Sequence, residues 1–228
     1  MWKRFALAAV TAFALLSSPA RADMPQTDVD LVQQMTGQPA DKIVEALDIY
    51  YRLHVSELMV QNIAEDNVAN FFATRRANEA SVDAGAIAKL EAEGKSISAK
   101  REALTEENRN LRVKLEEVSG IEFLDALIMT PDAPMAKPAA ASGDLAAQQE
   151  RAWKALEAAQ VRWREQRMAL LEAQQRYDDT RDVHLELVLN DMTRAEIALA
   201  EAVGACRLIE AKIAASQGKP IADVLAAL

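Results

Sequence analysis

Two histidines, one cysteine and several paired carboxylates are the residues of this chain whose chemistry could be put to use. His54 and His184 are 130 positions apart, and neither has a second histidine or cysteine three or four residues on. A zinc or di-iron centre on a helix needs that spacing, so no metal site is expected. Glu91/Glu93, Glu106/Glu107 and Glu116/Glu117 stand among lysines and arginines and read as solvated helix faces rather than acid/base pairs. No glycine loop fit to cradle a phosphate and no G-x-S-x-G elbow is present. Trp153 and Trp163 occupy helical positions suited to packing. Cys206 lies on an apolar helical stripe and reads as a small buried residue. The expectation is a non-enzymatic chain with no cofactor and no metal.

The remaining candidates are two breaks in long helical patterns. Two proline-free stretches, Ala40 to Thr130 and Ala139 to Lys219, are each interrupted once near the middle. The first break centres on Val82-Asp83-Ala84-Gly85 and the second on Asp178-Asp179-Thr180-Arg181-Asp182. Both halves end alike, at Ser119-Gly120 and Gln217-Gly218. Gly37-Gln38-Pro39 before the first repeat is echoed by Gly218-Lys219-Pro220 near the end. A repeat on this scale implies units that bury their apolar stripes on one another. Exposed turns on a stiff scaffold are where partners are met, so Asp83, Gly85, Lys89, Asp179, Thr180, Arg181 and Asp182 are the candidate docking residues. Plain polar turns are the competing reading. A left-handed Gly85 would add a backbone constraint at the first turn.

The elements that carry these turns follow from periodicity. Leu90, Ile97, Leu104, Leu111 and Val118 fall seven apart, as do Leu156, Trp163, Leu170 and Tyr177, and Leu185, Met192, Leu199, Cys206 and Ile213. Companion alanines such as Ala152, Ala159, Ala195 and Ala202 complete a coiled-coil seam. The predicted fold is all-α, with two long antiparallel coiled-coil hairpins comprising four long helices. The first helix is apolar nearly all round from Ile43 to Ile63, which predicts several enclosing neighbours and favours packing between chains, since two hairpins alone leave such a surface uncovered. Asp48, Arg52, His54 and Glu57 make it too polar for a membrane span.

Composition and punctuation bound the rest. Met1-Trp2-Lys3-Arg4, the apolar run Phe5 to Leu16 and the A-x-A ending at Ala22 read as a cleavable export leader over residues 1–22. Lys3, Arg4 and Arg21 leave with it, taking the formal net charge from −9 to −12. So acidic a chain, without a basic block, is not expected to bind nucleic acid. A tail is expected over 23–37, a first hairpin over 38–129, a Pro/Ala-rich linker over 130–143 and a second hairpin over 144–228. A location in the periplasm, in solution or peripheral to the outer membrane, fits this plan.

At the turns the sequence resembles the TolC-type outer membrane efflux proteins. Arg176-Tyr177-Asp178-Asp179-Thr180 precedes Leu185-Glu186-Leu187-Val188-Leu189, followed by an alanine-rich helix through Ala195, Ala198, Ala200 and Ala202 to Gly218. Asp83-Ala84-Gly85 through Lys89-Leu90-Glu91 matches the same turn in the first repeat, and Ala46 through Tyr50-Tyr51-Arg52-Leu53 resembles a hairpin opening. The resemblance implies a homo-oligomer, a trimer in that family, whose helices wall a periplasmic tunnel and meet an adaptor protein at their tips. Two departures stand out. No alternating strand run is present to build an outer-membrane barrel, and Thr180 stands where the family has glycine. The chain then corresponds to the tunnel-wall half alone. An envelope scaffold or spacer and a holdase-like chaperone are the other readings of the same shape.

Overall fold

A computed structural model of the protein describes residues 27–80, 83–121, 135, 138, 141, 143–180 (178–180 by backbone alone) and 184–228. The leader, the start of the expected tail and most of the linker lie outside the described residues. Among the described residues the fold is all helical, with no strand. The helices are α1 (Asp28–Gln34), α2 (Ala40–Glu79), α3 (Ala84–Ser119), α4 (Ala146–Thr180), α5 (Leu185–Ser216) and α6 (Ile221–Ala226), with a 3-10 turn at Gly143–Leu145 before α4. At about 1.5 Å per residue, the 40 residues of α2 span roughly 60 Å.

Punctuation in the sequence sets the ends. Asp83 caps α3 by accepting from the Gly85 amide at 3.0 Å. Gly120 stops α3 with φ at 74°, a left-handed conformation that glycine adopts without a Cβ penalty. The echo noted in the sequence has a structural counterpart: Gly37 (φ 93°) and Gly218 (φ 65°) each turn the chain left-handed. Pro39 and Pro220 then cap α2 and α6.

Packing follows the predicted pairing. α2 packs on α3 and α4 packs on α5, giving two hairpins, and α2 packs on α5 to join them. Among the described residues no extended packing joins α3 to α4. The four long helices therefore run side by side in the order α3, α2, α5, α4, an open row rather than a closed bundle. Burial reflects this. On α5, which has neighbours on both sides, Met192, Leu199, Cys206 and Ile213 of the seven-residue row are all buried. On α3, with one long neighbour, only Leu111, Leu115 and Ser119 are buried, while Leu90, Ile97 and Leu104 are half-buried.

The described part of the expected tail holds a short helix, α1. Thr27 forms a reciprocal capping box with Asp30, and α1 folds against α6 and the start of α2. Leu31, Val32 and Met35 are buried there among Leu47, Tyr50, Leu53, Leu115, Ala211, Ile221 and Leu225. The short apolar patch from Val29 to Met35 is one face of a helix, which is why it docks. This base encloses the lower part of α2, so the girdle from Ile43 to Ser56 is covered within the chain. Tyr51, in particular, is 5% exposed. Residues 57–67 of α2 are only half-buried.

Candidate docking surface at the hairpin turns

The first turn is short. α2 ends at Glu79, the Ala80 amide closes onto the Arg76 carbonyl at 3.0 Å, and α3 begins at Ala84. Gly85 belongs to the first turn of α3 and has no left-handed φ, so the backbone constraint considered from the sequence is absent. A Cβ on Gly85 would meet the Asp83 carboxylate oxygen at 2.8 Å. Glycine here makes room for the capping side chain. Asp83, Gly85 and Lys89 are all exposed.

The second turn lies between Thr180 and Leu185. Asp179 and Thr180 are the last residues of α4, and α5 starts after His184. Arg181 and Asp182 lie outside the described residues.

A contact that sequence reasoning missed relates the two turns. Arg76, near the end of α2, donates to Glu186 Oε1 in the first turn of α5 at 2.9 Å. Both turns are thereby at the same end of the molecule. Exposed His184 places Nδ1 3.4 Å from the same oxygen. Desolvation pushes the Glu186 carboxyl upward, but hydrogen bonds from its own backbone amide and from Arg76, with the charges of Arg76 and His184, outweigh it and hold the group below its ordinary range. Nothing in the spacing of Arg76 and Glu186, 110 residues apart, marks them as partners.

Below the turns the α2–α5 seam is polar. Asn62 donates to Asn190 at 2.7 Å, Asn190 donates to Asp66, and Thr193 donates to Glu65 at 2.6 Å. Nearer the base it becomes apolar, with Gly204 set against Tyr51 so closely that a Cβ would lie 2.9 Å from the Tyr51 Cβ. At the base itself, buried Asp28 accepts from Tyr51 Oη at 2.6 Å and from Arg207 through Nε and, at 2.9 Å, through Nη2. Arg207 also reaches the Leu225 carbonyl at 3.1 Å. One carboxylate thus ties α1 to α2 and α5, and its arginine reaches α6. Glu210, 2% exposed, accepts from Gln149 at 2.7 Å and from the Trp153 indole at 3.1 Å, fixing α4 on α5.

The candidates set aside from sequence sit apart. His54 is buried in α2, and Cys206 is wholly buried, its thiol pushed up to about 12 first by burial and then by Glu210. Among the described residues no group of three or more histidines, cysteines or carboxylates could hold a metal ion, and no helix is long and apolar enough to cross a membrane. No family model, no curated protein and no solved structure matches this chain.

Proposed function

We propose that this is an exported, non-enzymatic protein of two antiparallel coiled-coil hairpins that docks onto export machinery through its hairpin turns, the role of the tunnel-wall half of the TolC-type proteins it resembles in sequence. The observation that carries the reading is the Arg76–Glu186 contact, which groups both turns at one end. Asp83, Gly85, Lys89 and His184 there are exposed and lie outside the core, so this end offers a surface for contacts outside the chain. The open row of helices supports a homo-oligomer, since Val161, Met168 and Leu171 on α4 are each more than half exposed.

Photo-crosslinking in cells tests the reading. Crosslinker at Lys89 or His184 is expected to trap a periplasmic adaptor, and crosslinker at mid-helix Arg109 or Glu165 to trap none. Adducts from mid-helix sites alone would favour the envelope scaffold.

A further inference from the structure

A groove of about 380 Å³ runs along α2 between α3 and α5, well below the turns. Its floor is Tyr51, Val55 and Met59, with Leu104 on one wall and Gly204 and Leu208 on the other. On this side α5 presents only the methyls of Ala200 and Ala205, while at Gly204 its backbone already lies against Tyr51. Ser56, 5% exposed, lies in the same lining with its Oγ buried and without a hydrogen-bond partner. A hydroxyl left unpaired in so apolar a place is costly unless something else satisfies it.

The mouth carries a charge imbalance. Asp48, Glu107 and Glu201 line it against the single Arg52. Among the described residues, none of these four side chains forms an ion pair. A net excess of two carboxylates beside an apolar slot favours a ligand with a positive head and an apolar body. Size separates a small molecule from a protein helix. Asp48 to Met59 covers roughly 16 Å, and a helix about 10–12 Å across would occupy on the order of 1,500 Å³ over that length. The groove offers about a quarter of that, and its volume falls in the range of roughly 300–1,000 Å³ usual for small-ligand sites.

We propose that this groove binds a small cationic amphiphile, its apolar body on Tyr51, Val55 and Met59, above the buried Ser56, and its head among Asp48, Glu107 and Glu201. The site is independent of the docking turns.

Calorimetry with dodecyltrimethylammonium and dodecyl sulfate, each below its micelle concentration, tests it on the purified protein. The cation should bind about tenfold tighter than the anion, and E107Q/E201Q should remove that preference. Ala205 is exposed at the groove wall, so A205F should fill the slot and abolish binding while circular dichroism stays unchanged. Should A205F lose helicity, the Met59 methyl resonance of the wild-type protein decides alone: it must shift on titration with the cation. Equal affinity for both surfactants, full binding by a folded A205F, or a static Met59 methyl would each overturn the assignment. So would a drop in oligomer mass on A205F, because the occupant would then be a second copy of the chain.

Discussion

Arg76 and Glu186 belong to different hairpins, yet their side chains meet at 2.9 Å across the α2–α5 seam. The two chain reversals therefore lie at the same end of the molecule. The contact is a marker of geometry more than a source of stability. Arg76 is 46% exposed at the side chain and Glu186 19%, and ion pairs so placed contribute little once water and salt screen them.

R76A and E186Q should each lower stability by no more than about 1 kcal/mol, and a double-mutant cycle should give a coupling of roughly 0.5 kcal/mol that shrinks in high salt. Because the Glu186 carboxyl is held below its ordinary range, its contribution is present above the unfolded-state pKa and fades as pH falls through the folded one. Urea titrations across the acid range check both the size and the sign.

The base should behave differently. Asp28 is buried and bound by Tyr51 and Arg207, so R207A leaves a carboxylate without its counter-charge. Removing one partner of such a pair costs about 3–5 kcal/mol, and D28N/R207M should recover most of that loss. Equilibrium denaturation measures it. No recovery in the double variant would mean the pair itself, not the stranded charge, holds the base.

The four long helices, their pairing into hairpins and both stops at Gly120 and Gly218 were legible because seven-residue spacing and glycine placement are local signals. The base was not. Val29 to Met35 is too short a patch to announce a docked helix, and the bond from Asp28 to Arg207 joins residues 179 apart. The open order of the row was equally hidden, since an apolar stripe says that a helix has a neighbour without saying which. The turns were found, but not that Gly85 is an ordinary first-turn residue making room for Asp83.

Tyrosine ionisation gives a test at the alkaline end. Burial first, and the charge of Asp28 second, raise Tyr50 and Tyr51 above their ordinary range. Groups raised in the folded state stabilise it below the unfolded pKa, near 10, and lose that contribution as pH climbs through the folded one. Phenolate absorbance from these two residues should therefore appear together with loss of helicity. Ionisation of both in a still-helical protein would mean the base opens locally.

Cys206 should ignore alkylating reagents in the folded protein. It is wholly buried between α4 and α5, and its thiol is pushed up to about 12, so almost no thiolate exists near neutrality. Iodoacetamide should label it at the rate of global unfolding, and A205F should not change that rate.

The α2–α5 joint itself is probed by G204A. A Cβ there would lie 2.9 Å from the Tyr51 Cβ and 3.1 Å from its Cγ, and both belong to a buried side chain held by its bond to Asp28. Relief needs the helices to separate, so the cost should resemble overpacking, roughly 1–3 kcal/mol. It should exceed that of G85A, whose close neighbour is the movable end of an exposed Asp83. Thermal melts of the two variants decide this. A G204A protein as stable as G85A would show that the hairpins slide past each other freely, and the placement of both turns at one end would then rest on the base alone.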